Sequence, residues 1–165
     1  GRLGASLDAK SQARREKEKL FNSYIDELNG HDRQIELLLR APDSLRPLDM
    51  AVWQQVKVSG ELWSMDQTAL NHIATYGEVL ERYNYHFQEV DWLTRELLNH
   101  PSKDLSDYVK RSRDKLTEML KQMQALKRDV AFECRWWMID QKLLSKRRWK
   151  KWMKASKTTK STDKL

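Results

Sequence analysis

Between residues 69 and 97, apolar side chains recur at Ala69, Ile73, Tyr76, Leu80, Tyr83, Phe87, Val90, Leu93 and Leu97. The steps are of three and four, the spacing that lines one face of an α-helix. The stripe holds for roughly eight turns, and at about 1.5 Å per residue such a helix is about 45–50 Å long. A helix of that length with one apolar side gains most of its stability by packing that side against others like it. The rest of the chain therefore has to supply matching helices.

It does. Leu20, Phe21, Tyr24, Ile25, Leu28, Ile35, Leu38 and Leu39 form a second stripe. Leu105, Tyr108, Val109, Leu116, Leu120, Met123, Leu126, Val130, Cys134 and Trp137 form a third, which Ile139, Leu143 and Leu144 can prolong. A short helix over residues 50–58 offers Val52, Trp53 and Val56. Five Gly and three Pro in 165 residues leave few breaks, and Glu, Lys, Leu, Arg and Gln lose little rotamer freedom in a helix. No period-two run of useful length marks a strand.

The punctuation is local. Asn29-Gly30 predicts a kink or a break. Pro42 and Pro47 forbid a continuous helix across residues 41–47. Asp49 is placed to cap the short helix and Ser59-Gly60 to end it. Ser64 and Gln67 have the spacing of a capping box. Asn99-His100-Pro101 stops the long helix, and Ser102 caps the next, with Asp104 in its first turn. Trp53 is expected to plug one end of the bundle, its indole N–H on a loop carbonyl.

The expected fold is all-α: an up-down antiparallel bundle of three long helices plus one short helix, with an extended C-terminal helix whose basic end projects past the bundle. Residues 1–19 read as a charged, solvated or frayed helix start, 20–141 as the bundle domain, and 142–165 as a basic Trp-containing tail, disordered after about residue 154.

Charge is unevenly spread along this plan. Residues 142–165 hold ten Lys or Arg and one acid, Asp163, whereas the preceding residues hold 21 basic and 23 acidic ones. A net charge of +7 is thus the sum of a tail at +9 and a body at −2. Lys142, Lys146, Arg147, Arg148, Lys150, Lys151 and Lys154 are interleaved with Trp149 and Trp152, and these nine residues are the expected membrane- or anion-binding set. As a helix, Trp149, Trp152 and Met153 share one side. Trp suits the lipid headgroup boundary, and each Lys or Arg near an anionic leaflet contributes about 1 kcal/mol. The same tail could neutralise nucleic-acid phosphates and stack on unpaired bases, although no reader motif accompanies it. An acidic protein groove is another partner for such a helix. The bland alternative is a solubilising tail with Trp136 and Trp137 closing the core. A homo-oligomer, burying the apolar positions of residues 10–39, is a further reading.

Sites for chemistry are not found in the sequence. Leu28, Ala69, Tyr83 and Leu97 stand three residues before His31, His72, His86 and His100, so there is no Glu-x-x-His pair for a di-iron centre. Zinc spacing, a glycine-rich phosphate loop and a G-x-S-x-G elbow are absent too. His72, Tyr76, Tyr83, Tyr85 and His86 share one helix, and the reading preferred here puts Tyr76 and Tyr83 in the core with the two His at its rim. Cys134, the one cysteine, reads as a small core residue and rules out an internal disulfide. Neither an enzyme nor a cofactor or metal is expected.

The longest run without charge is residues 67–77, eleven residues against the ~20 of a membrane span. The N-terminus lacks the apolar core of a signal peptide. It also lacks an initiator Met, so residues 1–6 read as a processing or cloning remnant that leaves open an anchor upstream.

Three stretches carry a resemblance. They are residues 20–29 (Leu-Phe-Asn-Ser-Tyr-Ile-Asp-Glu-Leu-Asn), residues 52–60 (Val-Trp-Gln-Gln-Val-Lys-Val-Ser-Gly), and the long helix with Tyr76 and Tyr83-Asn84. Across about residues 20–98 the chain resembles a diffuse set of uncharacterised bacterial membrane-anchored helical-domain proteins. There, a transmembrane helix precedes an amphipathic helix, a short Trp-bearing helix closed by Ser-Gly, and a long Tyr-bearing helix. This chain lacks that transmembrane helix. The resemblance implies a helical domain tethered to a membrane, and the positive-inside tendency then places the basic tail in the cytoplasm at the membrane's inner face.

Overall fold

The computed structural model describes residues 2–143, 147, 150, 151 and 154, with no side-chain description at Arg2 and Leu3. Four α-helices follow in order: α1 (Arg2–Arg40), α2 (Ala51–Ser59), α3 (Gln67–Asn99) and α4 (Lys103–Asp140). Two short 3-10 turns, Pro42–Ser44 and Glu61–Ser64, lie in the connections. The described residues contain no strand.

Cross-helix pairs fix the topology. Along α1 and α4, Phe21 packs against Trp137 with tilted rings whose centroids are 4.5 Å apart, Asp32 meets Lys127 at 2.8 Å, and Asp43, just past α1, meets Arg113 at 3.9 Å. Rising numbers on one side match falling numbers on the other, so the helices are antiparallel. The pairs His72–Glu133 and Thr94–Arg113 establish the same for α3 and α4. Helix α2 returns the chain along α1, from the level of His31 to that of Lys17, so that α3 starts beside the outer half of α1. The result is an up-down bundle of three long helices and one short one, as the apolar stripes require.

The core follows the three stripes. Phe21, Tyr24, Leu28, Ile35, Ile73, Tyr76, Leu80, Tyr83, Leu116, Leu120 and Met123 are the bulky residues at its centre. Residues 4–16 of α1 are all exposed; Arg14 still reaches the Lys142 carbonyl past the end of α4, and the ten residues 4–13 extend about 15 Å beyond that contact.

Several local expectations need correcting. Helix α1 is unbroken at Asn29-Gly30, and Gly60 (φ 75°) is the one described glycine with positive φ. Ser64 does not cap α3; its hydroxyl donates to the Glu61 carbonyl (2.7 Å), and Asp66 stands at the N-cap position. Trp53 is not an end plug. Its ring lies flat over Gly77 in the middle of α3, and its indole N–H donates to Glu81 rather than to a loop carbonyl (3.3 Å).

Helix α4 is not prolonged to Leu143. It stops at Asp140, where the N–H of Leu143 donates to the Met138 carbonyl (2.7 Å) and that of Lys142 to Ile139 (2.9 Å). With Lys142 at φ 56°, these two bonds make a Schellman motif, and its usual apolar contact is provided for because Leu143 and Met138 are both buried. Leu143 therefore belongs to the core. Leu144 lies outside the described residues, as does the expectation of disorder past residue 154.

Candidate functional site

Two regions combine polar or charged groups in a way that requires explanation. The first is buried, where α1, α3 and the 41–50 connector meet. From α1, Glu27 turns its carboxylate to the start of α2 and accepts the N–H groups of Val52 (3.0 Å) and Trp53 (2.9 Å). These donors have no partner within their own helix, so Glu27 is the cap that the sequence assigned to Asp49. Asp49 contributes a weaker local contact, accepting from the N–H of Ala51 at 3.1 Å.

One turn on, His31 is buried between Tyr76 and the connector. Its Nε2 faces the Asp49 carbonyl, and its Nδ1 lies 3.0 Å from the Tyr76 hydroxyl. A carbonyl only accepts, so Nε2 carries the proton and Nδ1 accepts from Tyr76. From α3, the Asn84 amide pairs with Leu48 in both directions: its Oδ1 accepts from the Leu48 N–H (2.9 Å) and its Nδ2 donates to the Leu48 carbonyl (2.8 Å). The Tyr83 hydroxyl donates to the Arg46 carbonyl at 2.7 Å.

The electrostatics follow from burial. Desolvation raises the Glu27 pKa, opposed by its two backbone hydrogen bonds, and lowers that of His31. Burial also pushes Tyr76 and Tyr83 above the ordinary phenol range. The lone pair that would make His31 a base is occupied by Tyr76, and the groups around it all bind backbone or one another. The arrangement holds a connector in place.

Of the helix α3 constellation, Tyr76 and Tyr83 are in the core, His72 and His86 are half-buried at its edge, and Tyr85 is exposed. His31, Glu27 and Asn84 escaped the sequence reading. The signal available was their position: each falls within or beside an apolar stripe, where a polar residue has to find a partner. Cys134 is fully buried between helices, and desolvation pushes its thiol up to about 12. No group of three or more His, Cys, Asp or Glu able to hold a metal occurs among the described residues.

The second region is the cationic tail. Lys142 is exposed at the Schellman turn, and its carbonyl accepts from the Arg14 guanidinium of α1. Arg147, Lys150, Lys151 and Lys154 have helical backbone and exposed side chains. Their spacing of zero, three, four and seven puts all four on one helical edge. Lys146, Arg148, Trp149 and Trp152, the other members of the expected binding set, lie outside the described residues.

No helix among the described residues is long and apolar enough to cross a membrane. The fold defines an all-α helical bundle. No family model matches this chain, and neither a curated protein nor a solved structure matches it.

Proposed function

We propose that this chain is a non-enzymatic helical interaction module that docks at an anionic membrane surface through residues 142–154, with Trp149 and Trp152 as its anchors. The observation that carries this reading is the division of charge, +9 on residues 142–165 against −2 on the rest. The four exposed cations along one helical edge support it. At about 1 kcal/mol for each basic residue near an acidic leaflet, the seven Lys and Arg of residues 142–154 supply enough attraction for peripheral binding when two indoles insert. The proposed setting is the cytoplasmic face of a membrane.

The test is co-sedimentation of the full chain with phosphatidylserine-containing and pure phosphatidylcholine vesicles. A variant with Arg147, Lys150, Lys151 and Lys154 all changed to Gln is run beside it. The native chain should pellet with the anionic vesicles alone, and the variant should stay in the supernatant. If the native chain ignores both vesicles but binds RNA, with log K falling linearly in log salt, the tail is a nucleic-acid contact and the membrane reading is wrong.

A further inference from the structure

The 3-10 turn Glu61–Ser64 holds an aromatic side chain out into solvent by construction. Gly60, at φ 75°, ends α2 and opens this turn. The turn is closed by the Trp63 N–H to the Gly60 carbonyl (3.3 Å), the Ser64 hydroxyl to the Glu61 carbonyl (2.7 Å) and the Met65 N–H to the Leu62 carbonyl (3.2 Å). With three residues per turn, Leu62 and Met65 fall on one side. Both are buried, so the intervening Trp63 is directed outward and is 83% exposed. Val58, near the end of α2, is 88% exposed.

This turn stands next to the root of the tail. The Lys17 amine is 3.1 Å from the Glu61 carboxylate and 5.8 Å from the centre of the Trp137 ring. It thus ties the turn to the last helical turns of α4. Arg14 holds the Lys142 carbonyl at the same end. The turn that carries the exposed indole and the start of a strongly cationic segment therefore sit at the same end of the bundle. An indole beside positive charge is the combination that an anionic lipid interface accepts.

The overhang of α1 decides how that contact is made. If the bundle stood on this end, residues 4–13 would hold Trp63 about 15 Å from the lipid. Trp63 and the tail reach one surface together when the bundle lies along it.

Resting on the membrane reading above, we infer that Trp63 is a second anchor for the same anionic lipid surface, outside the tail, and that the bundle lies with its long helices along that surface. The probe is the full chain with phosphatidylserine-containing vesicles, compared with Trp63→Ser and Trp63→Tyr; the exposure of Trp63 leaves the fold intact, as far-UV circular dichroism verifies. Trp63→Ser should weaken binding about tenfold, the scale of withdrawing part of an indole's area from lipid, and Trp63→Tyr should retain most of it. Polarised infrared dichroism on a supported bilayer should place the helix axes near the membrane plane. Native-like binding by Trp63→Ser would remove Trp63 as an anchor while leaving the tail reading standing. Upright helices would overturn the orientation. A native chain that ignores the vesicles would end both proposals.

Discussion

Gly30 and Gly77 both lie inside long helices, yet the same substitution should have opposite effects at the two. At Gly30 a Cβ meets nothing within 4 Å. Gly30→Ala should therefore yield the helix-propensity gain of about 0.5–1 kcal/mol. At Gly77 a Cβ would lie 2.0 Å from Cζ2 of Trp53, 2.3 Å from Cε2 and 2.6 Å from Cη2. Carbon atoms in contact sit ~3.5–4 Å apart, so the indole would have to retreat by more than 1 Å. It has little freedom to do so. The Trp53 N–H is bound to Glu27, the indole N–H to Glu81, and the Tyr24 ring stands 6.1 Å away, centre to centre. Overpacking of this kind costs about 1–3 kcal/mol, and expulsion of the ring would approach the ~3–5 kcal/mol of a buried Trp lost. After the propensity gain is subtracted, Gly77→Ala should destabilise by about 1–2 kcal/mol if the ring only shifts, and by more if it is expelled. Urea unfolding followed by circular dichroism at the helical band measures both variants. The double variant Trp53→Leu/Gly77→Ala isolates the clash: the Gly77 penalty should shrink by ~1 kcal/mol or more when the indole is gone. If Gly77→Ala proves as stable as the native chain, or the penalty persists without Trp53, this account of the α2–α3 contact is wrong.

Acid should weaken the fold through His31. Its pKa is held below the ordinary 6.5, so the unfolded chain takes up a proton first as the pH falls. The contribution is complete above 6.5 and is lost between 6.5 and the lower folded value. Glu27, raised above 4.5, acts in the opposite sense: the folded chain protonates first, so stability recovers as the pH falls from that raised value towards 4.5. In urea titrations, His31→Gln should flatten the pH dependence just below 6.5, and an unchanged slope would clear His31. Lys142→Gly should stabilise by about 1 kcal/mol, because a left-handed C′ residue strains any side chain but suits glycine; a lower midpoint in urea would contradict the Schellman assignment. Cys134 should be inert to a thiol-exchange reagent in the native chain and react once urea unfolds it, and rapid native labelling would show that the thiol is not enclosed by the core.

The long stripes were legible because period 3.6 over many turns has few alternatives. Ala69 to Val90 and Val109 to Trp137 delivered most of the core as read. Stops set by sterics, such as Gly60 and Pro101, were also legible. Caps were less so, because a cap is any acceptor that reaches the orphan N–H groups, and chain proximity is a poor guide to that. Glu27 caps α2 from 25 residues upstream, while Ser64, with the right spacing, serves the turn before it. Gly30 looked like a break because its cost of about 1 kcal/mol is real, but flanking stripes on one face outweigh it. The same holds at the far end of α4. Leu143 continues a helical pattern in sequence, and its burial is reached by a reversal of the backbone instead. For the tail, composition supplied the charge and its location, and Arg147, Lys150, Lys151 and Lys154 fall on one edge as helical spacing requires.

The grip on the connector has a consequence for how this chain can vary. Surface loops usually accept extra residues at little cost, since closure entropy grows slowly with length. Here α1 and α3 hold Arg46, Leu48 and Asp49 by their backbone groups, and each position is matched to one side chain: Tyr83, Asn84 or His31. A residue inserted between 46 and 49 would slide the chain past these three fixed points and release at least one of them. The stretch that looks most like a spacer is therefore a ruler. Length variation should be tolerated at the exposed start of α1, ahead of the Arg14 contact with Lys142, and refused in the loop.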